Sequence, residues 1–205
     1  MDLKEEIKIV NDNNFYKVYD KNGKYLRNID VKEENSLKDE FLHGVSCFVV
    51  NEENQVLMEV RANTKITPGK IDLITGHVNG NEVAIQTAMR ELSEEVGISH
   101  VLGNEIFRVS GQSKLLRFQD RSKTRNFFID FYCLITNKHN FTIQSEEVKA
   151  LKWVPMEEAF LMIKQGKTRF PKQDKNVNYE KVFDNVRKIC LNRQLEEKKW
   201  LERWF

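Results

Sequence analysis

Hydrophobic and polar residues alternate along several short segments of the chain, and they follow a helical period along three longer ones. Alternation at every second residue predicts strands, whereas recurrence at every third or fourth residue predicts amphipathic helices. Strands are predicted in the segments FYKVYD, KYLRNI, VSCFVV (45–50), QVLMEV (55–60), IDLIT, VLGNEIFRVSG, RNFFIDFYCLIT and VKALKWV. Strands interleaved with helices predict the α/β class, with helices packed on a mixed sheet.

The first two predicted strands flank Asn22-Gly23, a dipeptide typical of a tight hairpin turn. We therefore predict a β-hairpin within residues 7–29, followed by the charged link VKEENSLKDE. The resulting organisation is a hairpin and linker over residues 1–40, a central domain over 41–170 and a C-terminal amphipathic helix over 171–205.

The first helix is predicted to begin near Glu82, with Asn81 or a neighbour as its N-cap, and to end at Gly97. Its predicted buried side consists of Ile85, Ala88, Leu92 and Val96. Pro155 is predicted to open a short second helix, MEEAFLMIKQG. A third helix is predicted from about Tyr179 to the end, and its buried side is marked by Val182, Phe183, Val186, Ile189 and Cys190.

Composition and charge narrow the class of protein. The net charge of +2 argues against a general nucleic-acid-binding protein, and no apolar run approaches the length of a membrane span. The N-terminal segment MDLKEEIKIV lacks the hydrophobic region of a signal peptide. Cys47, Cys133 and Cys190 form neither a closely spaced metal pair nor an even disulfide framework. We therefore expect a cytoplasmic protein without a membrane or nucleic-acid partner.

Three acidic residues of the first helix, Glu91, Glu94 and Glu95, stand at positions i, i+3 and i+4. Their carboxylates share one side of the helix and repel each other, which destabilises an isolated helix. A cation bound between them would offset that repulsion, and hard oxygen ligands suit Mg²⁺ or Mn²⁺. The alternative is an ordinary solvated acidic face.

These acids belong to a longer pattern, G-x5-E-x7-R-E-U-x-E-E-x-G-U, where U is aliphatic. Its fixed positions are Gly76, Glu82, Arg90, Glu91, Glu94, Glu95 and Gly97, with Leu92 and Ile98 in the aliphatic places. The pattern resembles the Nudix box. The resemblance implies a Nudix-type α/β/α sandwich and a Mg²⁺- or Mn²⁺-dependent hydrolase that uses water to cleave a diphosphate bond in a small nucleoside-diphosphate-linked substrate.

The resemblance also implies roles for individual residues. The implied metal-binding residues are Gly76, Glu82, Glu91, Glu94, Glu95 and Glu147. The implied catalytic residues are Arg90, Glu91, Glu94 and Glu147, with Glu91 either a further metal ligand or the group that holds the attacking water. Glu146 is the second choice for the acid contributed from outside the box. Both Glu146 and Glu147 have the alternative role of surface charges on a loop.

The residues around the box are similar to the branch related to isopentenyl diphosphate isomerase, over roughly residues 40–165. In that enzyme, metal-binding histidines match His43 and His77, but a third would fall at Ser36 and the catalytic cysteine at Thr75. These two departures favour a hydrolase over an isomerase. A non-catalytic nucleotide-binding regulatory module is a further alternative. The alternative role of His43 is an ordinary histidine at the edge of a strand. For His77, both orientations stay open: its side chain faces the site or points away from it.

Substrate contacts are predicted only weakly. Arg61, Lys65 and Lys70, before the box, are candidates for phosphate contacts or else solvated loop charges. Aromatic residues of the later strands are candidates for base stacking or else core residues: Phe118, Phe127, Phe128, Phe131, Tyr132 and Trp153. Three roles stay open for the C-terminal cluster of Trp200, Trp204 and Phe205: covering a sheet, packing on the hairpin, or a homodimer contact.

Overall fold

The computed structural model describes residues 14–64, 67–98, 106–109, 114–120, 123–137, 140–170 and 177–204. Across these residues the strands are β1 (Phe15–Tyr19), β2 (Tyr25–Asp30), β3 (Phe41–Val50), β4 (Gln55–Arg61), β5 (Ile71–Asp72), β6 (Ile74–His77), β7 (Ile106–Arg108), β8 (Lys114–Asp120), β9 (Lys123–Ile135) and β10 (Val148–Pro155). The α-helices are α1 (Ala84–Val96), α2 (Met156–Lys164) and α3 (Tyr179–Trp204).

The strands form one mixed sheet in which β3 is central. It pairs in parallel with β9 from Phe41–Asn126 to Val50–Ile135. Its antiparallel partners are β1, β4 and β6. β10 extends the sheet beyond β4, while β7 and β8 pair with β9. The predicted α/β architecture with a mixed sheet is confirmed.

Alternation along β3 places helices on both faces of the sheet. Val45, Cys47 and Val49 are buried in one cluster with Ala88 and Leu92 of α1. Phe48 and Val50 lie in the other cluster, with buried residues of α2 and α3. Because successive side chains of a strand point to opposite faces, this alternation separates the two layers. The sheet is therefore the middle layer of a sandwich.

Helix α1 begins two residues later than its predicted start. Val83 is the N-cap, and its N–H donates to the Gln86 side chain at 3.0 Å, so Asn81 is not the cap. The predicted end is confirmed, because Gly97 has φ +67 and its N–H donates to Ser93 O at 3.1 Å. Left-handed backbone of this kind favours glycine.

The N-terminal hairpin is present as β1 and β2 and joins the main sheet, because Tyr19 pairs with Phe41 of β3. Its Val18 and Ile29 are buried in the same cluster as residues of α3. Gly23 has φ +82 in the predicted turn. A 3₁₀ helix at Val31–Ser36, within the predicted link, carries the chain on toward β3.

Other predictions are confirmed or corrected in detail. Helix α3 begins at Tyr179 as predicted. The segment IDLIT forms two strands, interrupted at Leu73, instead of one. β8 was not predicted. Lys65, Phe205 and the side chains of Phe118, Trp200 and Trp204 lie outside the described residues. None of the helices in the described ranges is both long and apolar enough to cross a membrane.

Candidate active site

A cleft of about 130 Å³ opens where the N-terminal half of β3 meets β6. Its lining combines glycines, apolar side chains and four charged ones: Gly44, Val45, Arg61, Thr75, Gly76, His77, Glu95, Phe127, Ile129, Glu147, Arg169 and Phe170. The lining thus brings together residues from the box, from β4 and from two loops outside the box.

The three clustered acids of α1 are in different environments. Glu91 and Glu95, one turn apart, are 8 % and 3 % exposed, whereas the Glu94 side chain is half exposed. Glu95 lines the cleft. The pair that faces the protein interior is therefore Glu91 and Glu95, with Glu94 on the outer side of the helix.

Burial and neighbouring charges disfavour ionisation of the inner pair. Burial raises the pKa of Glu91 to about 7 and outweighs the opposing charge and hydrogen bond of Arg90, while Glu94 and Glu147 add smaller increases. Burial likewise raises the pKa of Glu95 well above its usual value, and the charges of Glu59, Glu91 and Glu147 add to it. Several carboxyl groups therefore face each other in a poorly solvated space.

Arg90 connects three acids of the box. Its Nε donates to Glu82 at 2.8 Å, and its Nη1 donates to Glu91 at 2.7 Å and to Glu94 at 3.0 Å. Nη2 donates to the carbonyl oxygen of His77 at 3.0 Å. Burial lowers the pKa of Arg90, but its hydrogen bonds and these charges raise it above its usual value. Arg90 therefore fixes α1 to the end of β6.

Glu82 and Gly76 have mainly structural contacts. Besides Arg90, Glu82 accepts hydrogen bonds from Thr87 Oγ1 at 2.8 Å and from the N–H of Asn79 at 3.3 Å. Gly76 pairs with Val45 in the sheet, and the Glu91 side chain fills the space where a Cβ at residue 76 would lie. A glycine is required there by the close approach of Glu91.

The predicted acid from outside the box reaches the cleft. Glu147 lines it and its charge acts on Glu91 and Glu95. Its carbonyl oxygen accepts from the N–H of Ala62 at 2.9 Å, which anchors this loop to the end of β4. Glu146 is exposed, and its carbonyl oxygen accepts from Thr64 Oγ1. The structure thus favours Glu147 over Glu146.

The inner acids fit a divalent cation in charge and donor type. In the described ranges, no three acidic, histidine or cysteine side chains already converge as a complete ligand set. However, Glu95 Oε2 is buried and makes no hydrogen bond within this part of the chain. A buried carboxylate oxygen without a donor is costly, and a hard cation satisfies it. Glu95 with Glu91 and Glu147 is the set that would hold one.

Family membership agrees with this geometry. Residues 41–175 match the NUDIX domain. The chain belongs to the Nudix family. It is 32 % identical over 172 residues to Nudix hydrolase 3 of Arabidopsis thaliana, a match that covers 76 % of the chain and 21 % of that relative. The chain thus spans about a fifth of the length of that plant protein.

Solved structures show the same Nudix fold at low identity. DR0079 from Deinococcus radiodurans has a TM-score of 0.57 at 16 % identity, covering 77 % of this chain and 93 % of that one. The MutT protein from Methanosarcina mazei Go1 has a TM-score of 0.51 at 21 % identity, covering 72 % and 94 %. These similarities establish the fold of the Nudix domain.

The two histidines of interest lie in different places in the Nudix domain. His77 lines the cleft, its ring 5.1 Å from that of Tyr16 and 5.0 Å from that of Phe127. His43 Nε2 lies 2.8 Å from Asp130 Oδ2 and does not line this cleft. His77 is therefore the histidine placed to contact a ligand in the cleft.

The basic residues predicted to contact phosphate differ in their position relative to the cleft. Arg61 lines the cleft, whereas Lys70 is exposed and does not. Arg169, in the segment after α2, also lines the cleft, although the sequence does not predict it as a site residue. It belongs to the basic C-terminal stretch of residues 164–205, where no local pattern distinguishes it from a solvated surface charge.

The strand aromatics are largely core residues. Phe127, Phe131 and Tyr132 are buried, and Phe128 and Trp153 are half-buried. Of these, Phe127 lines the cleft and contributes to an apolar wall with Ile129 and Phe170. Base stacking by Phe131 or Tyr132 would require the elements packed on the sheet to move away.

Proposed function

We propose that the chain is a Mg²⁺- or Mn²⁺-dependent hydrolase that cleaves a diphosphate bond in a small nucleoside-diphosphate-linked substrate by attack of water. The observation that carries the proposal is the buried pair Glu91 and Glu95 beside Glu147 at the cleft, with Glu95 Oε2 lacking a hydrogen bond in the described ranges. Membership of the Nudix family and a relative named as a Nudix hydrolase support it.

Each residue of the site has a distinct role in this reaction. Glu91, Glu95 and Glu147 would hold the cation, which would neutralise phosphate charge and lower the pKa of a bound water. Arg90 holds Glu91 by a 2.7 Å hydrogen bond and keeps it oriented. Gly76 leaves the space that Glu91 occupies. Arg61 supplies positive charge to a phosphate oxygen. Water adds to phosphorus and releases a proton to solvent, the bridging P–O bond breaks, and the leaving phosphate takes the electron pair of that bond.

The test compares matched carboxamide variants. Glu91→Gln and Glu95→Gln keep the side-chain shape but remove the charge, so each should lower turnover about 100-fold or more. Glu158→Gln, at an exposed position of α2, is the control and should keep full activity. Substrates are nucleoside di- and triphosphates, dinucleotides, ADP-ribose, NADH and nucleotide sugars, each with Mg²⁺ or Mn²⁺. Full metal-dependent turnover by both inner-acid variants would refute this site.

Isomerase activity is the second candidate, because the sequence around the box is similar to that branch and Thr75 lines the cleft. The position that would carry a catalytic thiol thus carries a hydroxyl, which is a poor acid–base group near neutral pH. Incubation with isopentenyl diphosphate separates the two: release of inorganic phosphate with isopentenyl monophosphate would support hydrolysis of the diphosphate bond, and the dimethylallyl isomer would support isomerisation. Binding of nucleotides without turnover of any substrate would instead favour a regulatory module.

A further inference from the structure

Two buried acids face each other beside the cleft. Glu59 of β4 pairs directly with Asp72 of β5, and both residues are 0 % exposed. Like charges directly opposite each other destabilise a sheet, and burial increases the cost. Burial raises the pKa of Glu59 to about 7, and Asp72 adds to the shift. Such an arrangement needs compensating cations.

Each acid holds one arginine of the cleft. Arg61 Nη1 lies 3.2 Å from Glu59 Oε1, and Arg169 Nε lies 3.2 Å from Asp72 Oδ2. Both arginines line the cleft. Their positive charges therefore share this space with the negative charges of Glu95 and Glu147. The two buried acids therefore hold both guanidinium groups in position at the same small cleft.

The backbone around Arg169 is firmly anchored. Thr168 and Phe170, on either side, are each 2 % exposed. Thr168 Oγ1 accepts from the N–H of Phe170 at 3.2 Å, and the Phe170 ring lies 6.3 Å from those of Phe131 and Tyr179. Arg169 itself is only half-buried. A partly exposed arginine between two core residues is directed into the cleft by the fold.

The two arginines are also close enough to repel each other. Burial lowers the pKa of Arg61, and the positive charge of Arg169 lowers it further. An anion between two guanidinium groups relieves that repulsion. Arginine is well suited to this role because its planar fork matches two oxygens of one phosphate.

We propose that Arg169 and Arg61 together bind a phosphate group of the substrate, and that Asp72 positions Arg169 for this contact. Arg169 is thereby a binding residue from outside the box, and Asp72 acts through it. The inference rests on the proposed function for its substrate class, but phosphate binding is measurable without turnover.

The experiment titrates the full chain with methylenediphosphonate, a diphosphate that cannot be hydrolysed, in the presence of Mn²⁺ and by calorimetry. Arg169→Gln should weaken binding about 10- to 100-fold, the loss expected for a charged hydrogen-bonding partner. Lys167→Gln, which removes the same charge from an exposed position two residues away, should bind as the unmodified chain does. Equal affinity of Arg169→Gln and the unmodified chain would overturn the proposal.

A second variant distinguishes loss of the arginine contact from loss of the folded structure. Arg169→Lys keeps the charge beside Asp72 but loses the planar fork, so its affinity should also fall while its thermal unfolding stays unchanged. Inorganic phosphate, titrated in parallel, should bind more weakly than the diphosphonate because it cannot span both the arginines and a cation. Equal binding of both anions would mark a general anion site and overturn the substrate assignment.

Asp72 is tested by a double-mutant cycle. Asp72→Asn should weaken diphosphonate binding in the unmodified chain but have no further effect in the Arg169→Gln background. A purely structural role would weaken binding equally in both backgrounds and would overturn the positioning role.

Separate titration with Mn²⁺ alone distinguishes this inference from the proposed function. Arg169→Gln should bind Mn²⁺ normally and Glu95→Gln should not. If the unmodified chain binds Mn²⁺ but not the diphosphonate, the phosphate subsite is wrong and the metal site stands.

Discussion

The carboxyl group of Glu91 lies directly over the backbone of Gly76. A Cβ built at residue 76 would stand 1.9 Å from Glu91 Oε1 and 2.0 Å from its carboxyl carbon. Heavy atoms do not approach this closely, so any side chain at residue 76 must displace Glu91. Because Glu91 is also held by Arg90, the displacement would disturb the whole acidic end of α1.

Replacing Gly76 with Ala should therefore destabilise the protein through Glu91. Overpacking of this kind costs on the order of 1–3 kcal/mol. In a Glu91→Ala background the obstructing side chain is gone, so Gly76→Ala should cost much less. Urea unfolding of the four proteins measures the coupling. The same cost in both backgrounds would show that the contact between these two residues is not the reason for the glycine.

Replacing Arg90 with Met should be costly because the buried Glu91 then loses its main cation. Breaking a mostly buried ion pair from one side costs on the order of 3 kcal/mol. Arg187→Met is the matched control, since Arg187 pairs with the exposed Glu157 and Asp184, and exposed pairs contribute less than about 1 kcal/mol. Similar losses for the two variants in chemical unfolding would contradict the role of Arg90.

Stability should depend on pH through Asp72 in metal-free protein. Burial raises its pKa from 3.8 to about 6, outweighing the opposing charge of Arg169. Between these values the folded state binds more protons than the unfolded state, so stability falls as pH rises. As the pH rises from about 4 to about 7, the free energy of unfolding of Asp72→Asn should therefore increase, relative to that of the unmodified chain, by on the order of 3 kcal/mol. Urea unfolding with a chelator measures this difference.

Asp130→Asn provides a control of opposite sign. Burial raises the pKa of Asp130, but hydrogen bonds from His43 and Arg108 lower it overall. The stability it contributes is present above its unfolded pKa and is lost as pH falls through its folded pKa. The variant should therefore lose its disadvantage only in more acidic solution. A pH-independent difference for Asp72→Asn would contradict the burial of its charge.

Divalent cations should stabilise the chain through the inner acids. At a free Mn²⁺ concentration about 100-fold above its dissociation constant, the free energy of unfolding should rise by about 2.7 kcal/mol. A chelator should reverse the gain, which a thermal unfolding series measures. Glu95→Gln should abolish the response, while Glu158→Gln should retain it. A gain of the same size in Glu95→Gln would place the cation elsewhere.

The sequence predicts α1 well because its signals are local. Leu92 and Val96 recur with the helical period, and Gly97 ends the helix by its backbone conformation. The start was predicted too early because the Asn79–Asn81 turn offers polar caps, whereas the chain uses Val83 with the Gln86 side chain. Cap positions depend on competing local hydrogen bonds and are harder to predict than the period.

The differing environments of Glu91, Glu94 and Glu95 could not be derived from helical spacing alone. Spacing places all three on one side of α1, but packing against β3 and β6 buries only two of them. Arg169 could not be predicted for a related reason. Its position depends on Asp72, far away in the sequence, and such a contact leaves no local pattern.

The parallel pairing of β3 with β9 has a consequence for how the chain folds. These strands form the centre of the sheet, yet they join Phe41 to Asn126 and are separated by the whole box helix and its loops. Closing so long a loop carries an entropic cost before the contacts compensate for it. On a ribosome, β3, β6 and α1 emerge without the strand that covers one edge of β3. We therefore expect cooperative folding to await synthesis of β9, so the acids on α1 acquire their final burial late.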